Sequence, residues 1–215
     1  MVKKLSERAL HFIERLGKSR EYEIDLEILE KHLNFYHLQN SFEILRFQKS
    51  FSGLHIQDIV IHIFTPKQIK QHKGVNTYHW EGQTLFSINE SFYIAENGEI
   101  ALRDCGCDSY DFYFYFERFE TFIEQQAFFE EYRYYIRLPG LGNDLICNIN
   151  FLSEYFSDYD FIDECSDKYH RMWKNNLHLL HARLYPEGWI IFFDSLSENE
   201  RHKLIEELKT KNIIA

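Results

Sequence analysis

Between Gln83 and Phe116, four short runs, "TLFSI", "SFYIA", "EIALR" and "DFYFYF", are separated by turn-forming residues. No other part of the chain constrains the fold as much. Each run is rich in aromatic or β-branched residues and has the length of an ordinary strand. "ENGE" at 96–99 links two of them, and Asn-Gly readily adopts the positive φ that a tight antiparallel turn requires. Strict alternation in the last run would put Phe112, Phe114 and Phe116 on one side of a sheet and Tyr113 and Tyr115 on the other. The chain then changes period. In "FERFETFIEQQAFFEEY", Phe119, Phe122, Ile123 and Ala127 fall on one face of a helix.

Helices are expected before this meander. Leu5, Leu10, Ile13 and Leu16 recur at near-helical spacing, and Gly17 stands where such a helix would stop. Ile24, Ile28, Leu29 and Leu33 mark a second helix. Phe42, Leu45, Phe47 and Phe51 mark a third, closed by Gly53. "QDIVIHIF" is β-branched and alternating, so it reads as a strand that Pro66 closes. Beyond the break expected at "LPGLGND", 138–144, the tail reads as an acidic stretch, a helix around "SDKYHRMWKNNL" and a strand pair. That pair, "HLLHARLY" and "WIIFFD", is joined by Pro186, Glu187 and Gly188. A last helix opens at Ser197, with Glu200 completing a capping-box signature. The fold expected is α+β: N-terminal helices on a mainly antiparallel sheet meander with a following helix, plus a C-terminal helix, β-hairpin and helix. The division expected is a domain over residues 1–140 and an extension over 141–215 packed on it.

At 215 residues and 45% hydrophobic content the chain can bury a substantial core. A formal charge of −10 argues against sequence-independent binding to nucleic acid, where phosphates reward Lys and Arg. No apolar run approaches the roughly 18 residues that span a bilayer. The apolar residues after the N-terminal lysines are interrupted by Glu7, Arg8, His11, Glu14 and Arg15, which denies them the form of an export signal. With four cysteines, this fits reduced thiols and a cytoplasmic location.

Chemical motifs are weak. Cys105 and Cys107 are separated by one residue, tight for paired zinc ligands, and no second pair follows. They read as thiols in a turn. Cys165, His170, His178 and His181 form another possible metal set, but the His-x-x-His pair falls at the start of a strand, which would send its two side chains to opposite faces. "DYDFIDECSD" at 158–167 lacks the glycine and ligand order of a calcium loop. Nucleophile-elbow, phosphate-loop, zinc-protease and dinucleotide patterns do not occur. Neither a catalytic residue nor a cofactor is expected.

Three stretches resemble one family. "NSFEILRFQKSFSGLHI", Asn40 to Ile56, is similar to a characteristic helix of the SUKH superfamily, with Phe42, Phe47, Phe51, Gly53 and Leu54 in matching places. Ser52 stands where that family has its first glycine, and no proline follows Leu38. "LFSINESFYIAENGEIALRD" resembles the family's paired strands around an Asn/Asp-Gly turn, and "FERFETFIEQQAF" resembles its "S-F-E-x-F-I" helix entry. Together they span roughly residues 5–135. The superfamily's bacterial members are mostly immunity proteins of toxin systems. The resemblance therefore implies a non-catalytic protein that neutralises a cognate protein toxin, with a basic nuclease as the expected class. A cellular regulator or scaffold that binds a host protein is the alternative it implies. A metal-dependent enzyme using the Cys and His clusters is the reading from another class.

An acidic, tyrosine-bearing surface suits a basic partner, because charge speeds encounter and tyrosine adds buried area with a hydrogen bond. Two regions have that composition. The first contains Asp104, Asp108, Tyr110, Asp111, Tyr113, Tyr115, Glu117 and Glu120. The second contains Asp158, Tyr159, Asp160, Asp163 and Glu164, with Glu154, Tyr155 and Asp167 beside them.

Overall fold

The computed structural model describes residues 4–56, 58–89, 91–103, 111–137, 146 and 148–214. The fold is α+β, and the chain divides into two compact units, Met1–Glu120 and Thr121–Ala215. That division falls ahead of the break expected at 138–144.

The first unit opens with α1 (Glu7–Leu16), where the Ser6 side chain accepts the Ala9 N–H and Gly17, at φ 74°, ends the helix. Ala9 and Phe12 are its buried residues while Leu10 is exposed, so the buried stripe is offset from the leucine spacing. Asp25 caps α2 (Leu26–Leu33), accepting the N–H groups of Glu27 and Ile28. On α3 (Phe42–Phe51) the buried side chains are Ile44, Phe47, Gln48 and Phe51, and Phe42 is exposed.

A short hairpin follows, β1 (Leu54–Ile56) with β2 (Ile59–Ile61). At Gly53 the chain adopts φ 88°, and a Cβ there would run into the Ser19 carbonyl oxygen. Only glycine meets both demands without strain. The strand expected over 57–64 is cut short by a buried amide. Gln48 Oε1 accepts the N–H groups of Ile63 and Phe64 at 3.4 and 3.1 Å, and its Nε2 donates to the Phe64 carbonyl at 3.0 Å. These groups are thereby satisfied without a further ladder. Pro66 then opens α4 (Pro66–Lys70) at a position where its missing N–H costs nothing, with Thr65 and Gln68 forming a reciprocal capping box.

The meander is a five-stranded antiparallel sheet in sequential order: β3 (Thr77–Trp80), β4 (Gln83–Ser87), β5 (Phe92–Ala95), β6 (Ile100–Arg103) and β7 (Phe112–Phe116). The Asn-Gly turn joins β5 to β6 as expected, with Gly98 at φ 89° and its N–H on the Ala95 carbonyl at 2.8 Å. One face buries Leu85, Tyr93, Ala95, Ala101 and Phe112. On the other, the Phe86 ring meets Tyr36 and Phe64 at 5.1 and 6.0 Å.

β7 departs from strict alternation. Phe114 lies opposite Ala101 but Phe116 lies opposite Ile100, so Tyr115 is the extra residue of a β-bulge. Phe112 and Phe114 therefore share one face, whereas Phe116 is carried to the face of Ile100.

In chain order, α5 (Phe119–Glu131) crosses the division between the units. The second unit continues with β8 (Ile136–Arg137), α6 (Ile149–Tyr155), β9 (Asp160–Phe161), β10 (His170–Lys174), β11 (His178–Tyr185), β12 (Gly188–Ser195) and α7 (Glu198–Thr210). Its sheet has the order β8-β12-β11-β10-β9. On one face, Phe128 from α5 and Tyr135 cluster with Ile162, Cys165, Met172 and Leu179. On the other, Leu152 of α6 and Leu204, Ile205 and Leu208 of α7 cluster with Trp173, Leu180, Ala182, Ile191 and Phe193.

The helix expected around 166–177 is instead β10. Met172 and Trp173 are neighbours in sequence yet join the two opposite clusters, a period-two pattern that a helix cannot satisfy. Asn175 then turns the chain, its Oδ1 accepting the N–H groups of Leu177 and His178. The β11–β12 hairpin forms as expected, pairing Tyr185 with Gly188. Ser197 accepts the Glu200 N–H at 3.3 Å, while the Glu200 carboxylate turns to Lys203 at 2.6 Å.

Candidate functional site

Three residues of the first acidic region, Asp104, Asp108 and Tyr110, lie outside the described residues, as do Cys105 and Cys107. Asp111 and Tyr113 are half-buried, and the bulge residue Tyr115 is buried. Glu117 is exposed.

Glu120 is only 4% exposed and forms a bidentate ion pair with Arg46, whose Nε also binds Glu43 at 2.7 Å. A carboxylate held this way is an internal counter-ion, not a group offered to a partner. Among its described residues, this region presents one exposed carboxylate.

The second region is different. Glu154, Asp158, Asp160 and Asp163 are exposed and Glu164 is half-buried. Glu154 lies on α6, whereas Asp158, Asp160, Asp163 and Glu164 lie on or close in the chain to β9, the edge strand of the second unit's sheet. β9 pairs Asp160 with Lys174 and Phe161 with Trp173, so those two side chains of the edge point to opposite faces. Phe161 leaves 47% of its surface exposed, with its ring centroid 5.9 Å from that of Trp173. Phe151, on α6, is 56% exposed.

The two tyrosines of this region serve the interior. The Tyr159 hydroxyl is 3.0 Å from His178 Nδ1, and its ring packs on Phe156 at 4.7 Å. Burial, reinforced by the hydrogen bond to Glu207, pushes the Tyr155 phenol well above its ordinary range. Both hydroxyls are thus committed within the unit. The exposed aromatic surface comes instead from Phe161 and Phe151. The sequence signal for Phe161 is the one phenylalanine of the acidic stretch "DYDFIDECSD".

The histidine set splits across the sheet. His170 Nδ1 lies 2.8 Å from His181 Nε2 with both residues buried, and Cys165 is buried in the neighbouring cluster. His178 belongs to the opposite face, as the alternation of its strand requires. Among the described residues no three His, Cys, Asp or Glu side chains converge as metal ligands would, and no helix is long and apolar enough to cross a membrane.

No family model matches the chain, and the searches of curated proteins and of solved structures find no match.

Proposed function

We propose that the protein is a non-catalytic binding protein that meets a basic protein partner through the β9 edge of its second unit. The observation that carries this reading is Phe161, a large aromatic side chain left about half exposed on the edge strand of its sheet, with the exposed acids Asp158, Asp160 and Asp163 close to it in the chain. Acids on a short edge strand can act solely to repel another strand. An exposed phenylalanine works against that purpose and suits an anchor surrounded by a charged rim. The acids would then steer and orient a basic partner.

The three stretches that resemble the SUKH superfamily extend this reading to a cytoplasmic immunity protein, with a nuclease toxin as the partner. A host protein bound by a regulator or scaffold is the second reading. It is favoured by the separate compactness of the unit that carries the edge, as an added docking module would have.

The test is recovery of partners on the tagged full chain from its native host, with low-salt and high-salt washes. One toxin-like protein at stoichiometric level, lost at high salt, supports the immunity reading. A housekeeping complex supports the regulator. No partner at either salt concentration sinks both.

A further inference from the structure

β3 forms one end of the first unit's sheet, and its sequence leaves that edge unguarded. Edge strands are ordinarily blunted by lysine, proline, a bulge or extreme shortness. β3 is Thr-Tyr-His-Trp, and every one of its residues pairs in unbroken register with β4. The opposite end of the same sheet, β7, is bulged at Tyr115, and in the second unit β8 and β9 are two residues long.

The register shows which backbone groups β3 turns outward. Trp80 lies opposite Gln83 across a two-residue turn, and Ser87 donates its N–H to the Asn76 carbonyl at 3.3 Å. Antiparallel pairing alternates, so Asn76, Tyr78 and Trp80 direct their backbone groups to β4 while Thr77 and His79 direct theirs to the open side. Among the described residues, no backbone hydrogen bond engages these outward groups. His79 is exposed and Thr77 half-buried.

The stretch around β3 is also self-complementary in charge. From Lys73 to Glu81 it reads "KGVNTYHWE", with Thr77 at its centre, a lysine at one end and a glutamate at the other. Both charged residues are exposed. Laid antiparallel about a twofold axis at Thr77, two copies bring Lys73 of each toward Glu81 of the other. The net charge of −10 does not oppose this approach locally, because residues 59–80 contain no Asp or Glu.

From the open edge and its self-complementary charges we infer that β3 is the interface of a symmetric homodimer, in which the sheets of two copies join edge to edge. Such an interface is isologous, each copy presenting the same strand. Thr77 exchanges both of its outward bonds with Thr77 of the second copy, and each His79 N–H meets the Val75 carbonyl opposite it. The ladder stops there, since the Val75 N–H is already given to the Tyr36 hydroxyl at 2.9 Å.

Sedimentation velocity of the full chain over a concentration series tests this. A reversible monomer–dimer equilibrium is expected. Thr77→Pro removes an outward N–H at the first residue of an edge strand, a position where proline is tolerated, and should weaken the dimer at least about tenfold while leaving the melting temperature of the dilute monomer in place. Lys73→Glu and Glu81→Lys should each weaken it about tenfold, by setting like charges against each other at both ends of the pairing. Combining the two restores the opposition with the net charge of the wild type, and the dimer should return. A wild type that remains monomeric at about 0.5 mM would overturn the assignment. So would a dimer that persists in a folded Thr77→Pro variant, or a combined charge exchange that fails to recover association.

Discussion

His170 Nδ1 and His181 Nε2 approach to 2.8 Å across neighbouring strands, with ring centroids 5.0 Å apart and the planes inclined by 28°. Both residues are buried, at 0% and 2% exposure. A contact this short between two ring nitrogens needs one N–H and one lone pair, which fixes the tautomers relative to each other. Phe129 and Phe192 pack on His181 at 5.7 and 6.1 Å, so the pair sits in aromatic surroundings. His181→Ala should cost about 1–3 kcal/mol through the withdrawn hydrogen bond alone. A double-mutant cycle with His170→Ala, read by denaturant unfolding, should give clear non-additivity. Strict additivity would mean the two rings do not interact.

Two other buried histidines make stability depend on pH. Burial holds His32 and His178 below the ordinary imidazole range; the His72 charge lowers His32 further, while Glu200 partly opposes the shift at His178. A depressed folded value means that the unfolded chain binds protons first. The contribution to stability is therefore complete above the unfolded value near 6.5 and is lost as pH falls through the lower folded values. Melting temperature should fall between pH 7 and pH 5. His32→Phe should make that fall shallower, since the ring lies among Phe35, Tyr36 and Phe64, which accept an aromatic replacement. An unchanged slope in that variant would show that His32 does not protonate in this window.

Glu120 offers a separation of structural from binding roles. Its pairing with Arg46 is largely shielded, the side chains being 6% and 16% exposed. Removing Glu120 takes two charge-assisted hydrogen bonds from Arg46 and leaves Glu43 as its carboxylate partner, at a cost of about 1–3 kcal/mol. Glu120→Ala should therefore lower the urea midpoint strongly. In conditions where the variant is still folded, it should leave affinity for the captured partner within about twofold. Full stability combined with lost binding would return Glu120 to the interface.

The sequence made some of this legible and concealed the rest for definable reasons. The Asn97–Gly98 turn, the Gly17 stop and the Ser197 cap are local features, and each occurs where local chemistry placed it. Tyr115 was misplaced because a bulge is a property of two strands, decided by the offset between Ile100 and Ala101 on the partner. Residues 170–174 were misread because Met172 and Trp173 are both apolar, and only a sheet buried on both faces lets adjacent residues enter two different clusters. Among the candidate site residues, composition identified acids and tyrosines but could not rank their exposure. Glu120 and Tyr159 proved to be internal partners of Arg46 and His178, while Phe161 was masked by the acids around it.

The edge-strand proposal makes a demand that these burial differences allow to be tested. Phe161 is half exposed, so Phe161→Ala should cost only about 1–2 kcal/mol of stability, through lost contact with Trp173. As an anchor, however, its removal should weaken the captured partner at least about tenfold, through faster dissociation. Asp158→Asn and Asp163→Asn lie on exposed rim positions and should act differently, slowing association at low salt while leaving dissociation nearly unchanged. Tyr159→Phe supplies the control: it removes the hydroxyl contact to His178, costs about 0.5–1.5 kcal/mol and leaves binding in place. Surface plasmon resonance at two salt concentrations separates these outcomes. If Phe161→Ala binds like wild type while Tyr159→Phe does not, the interface lies away from the β9 edge and the acids there serve only to keep other strands off.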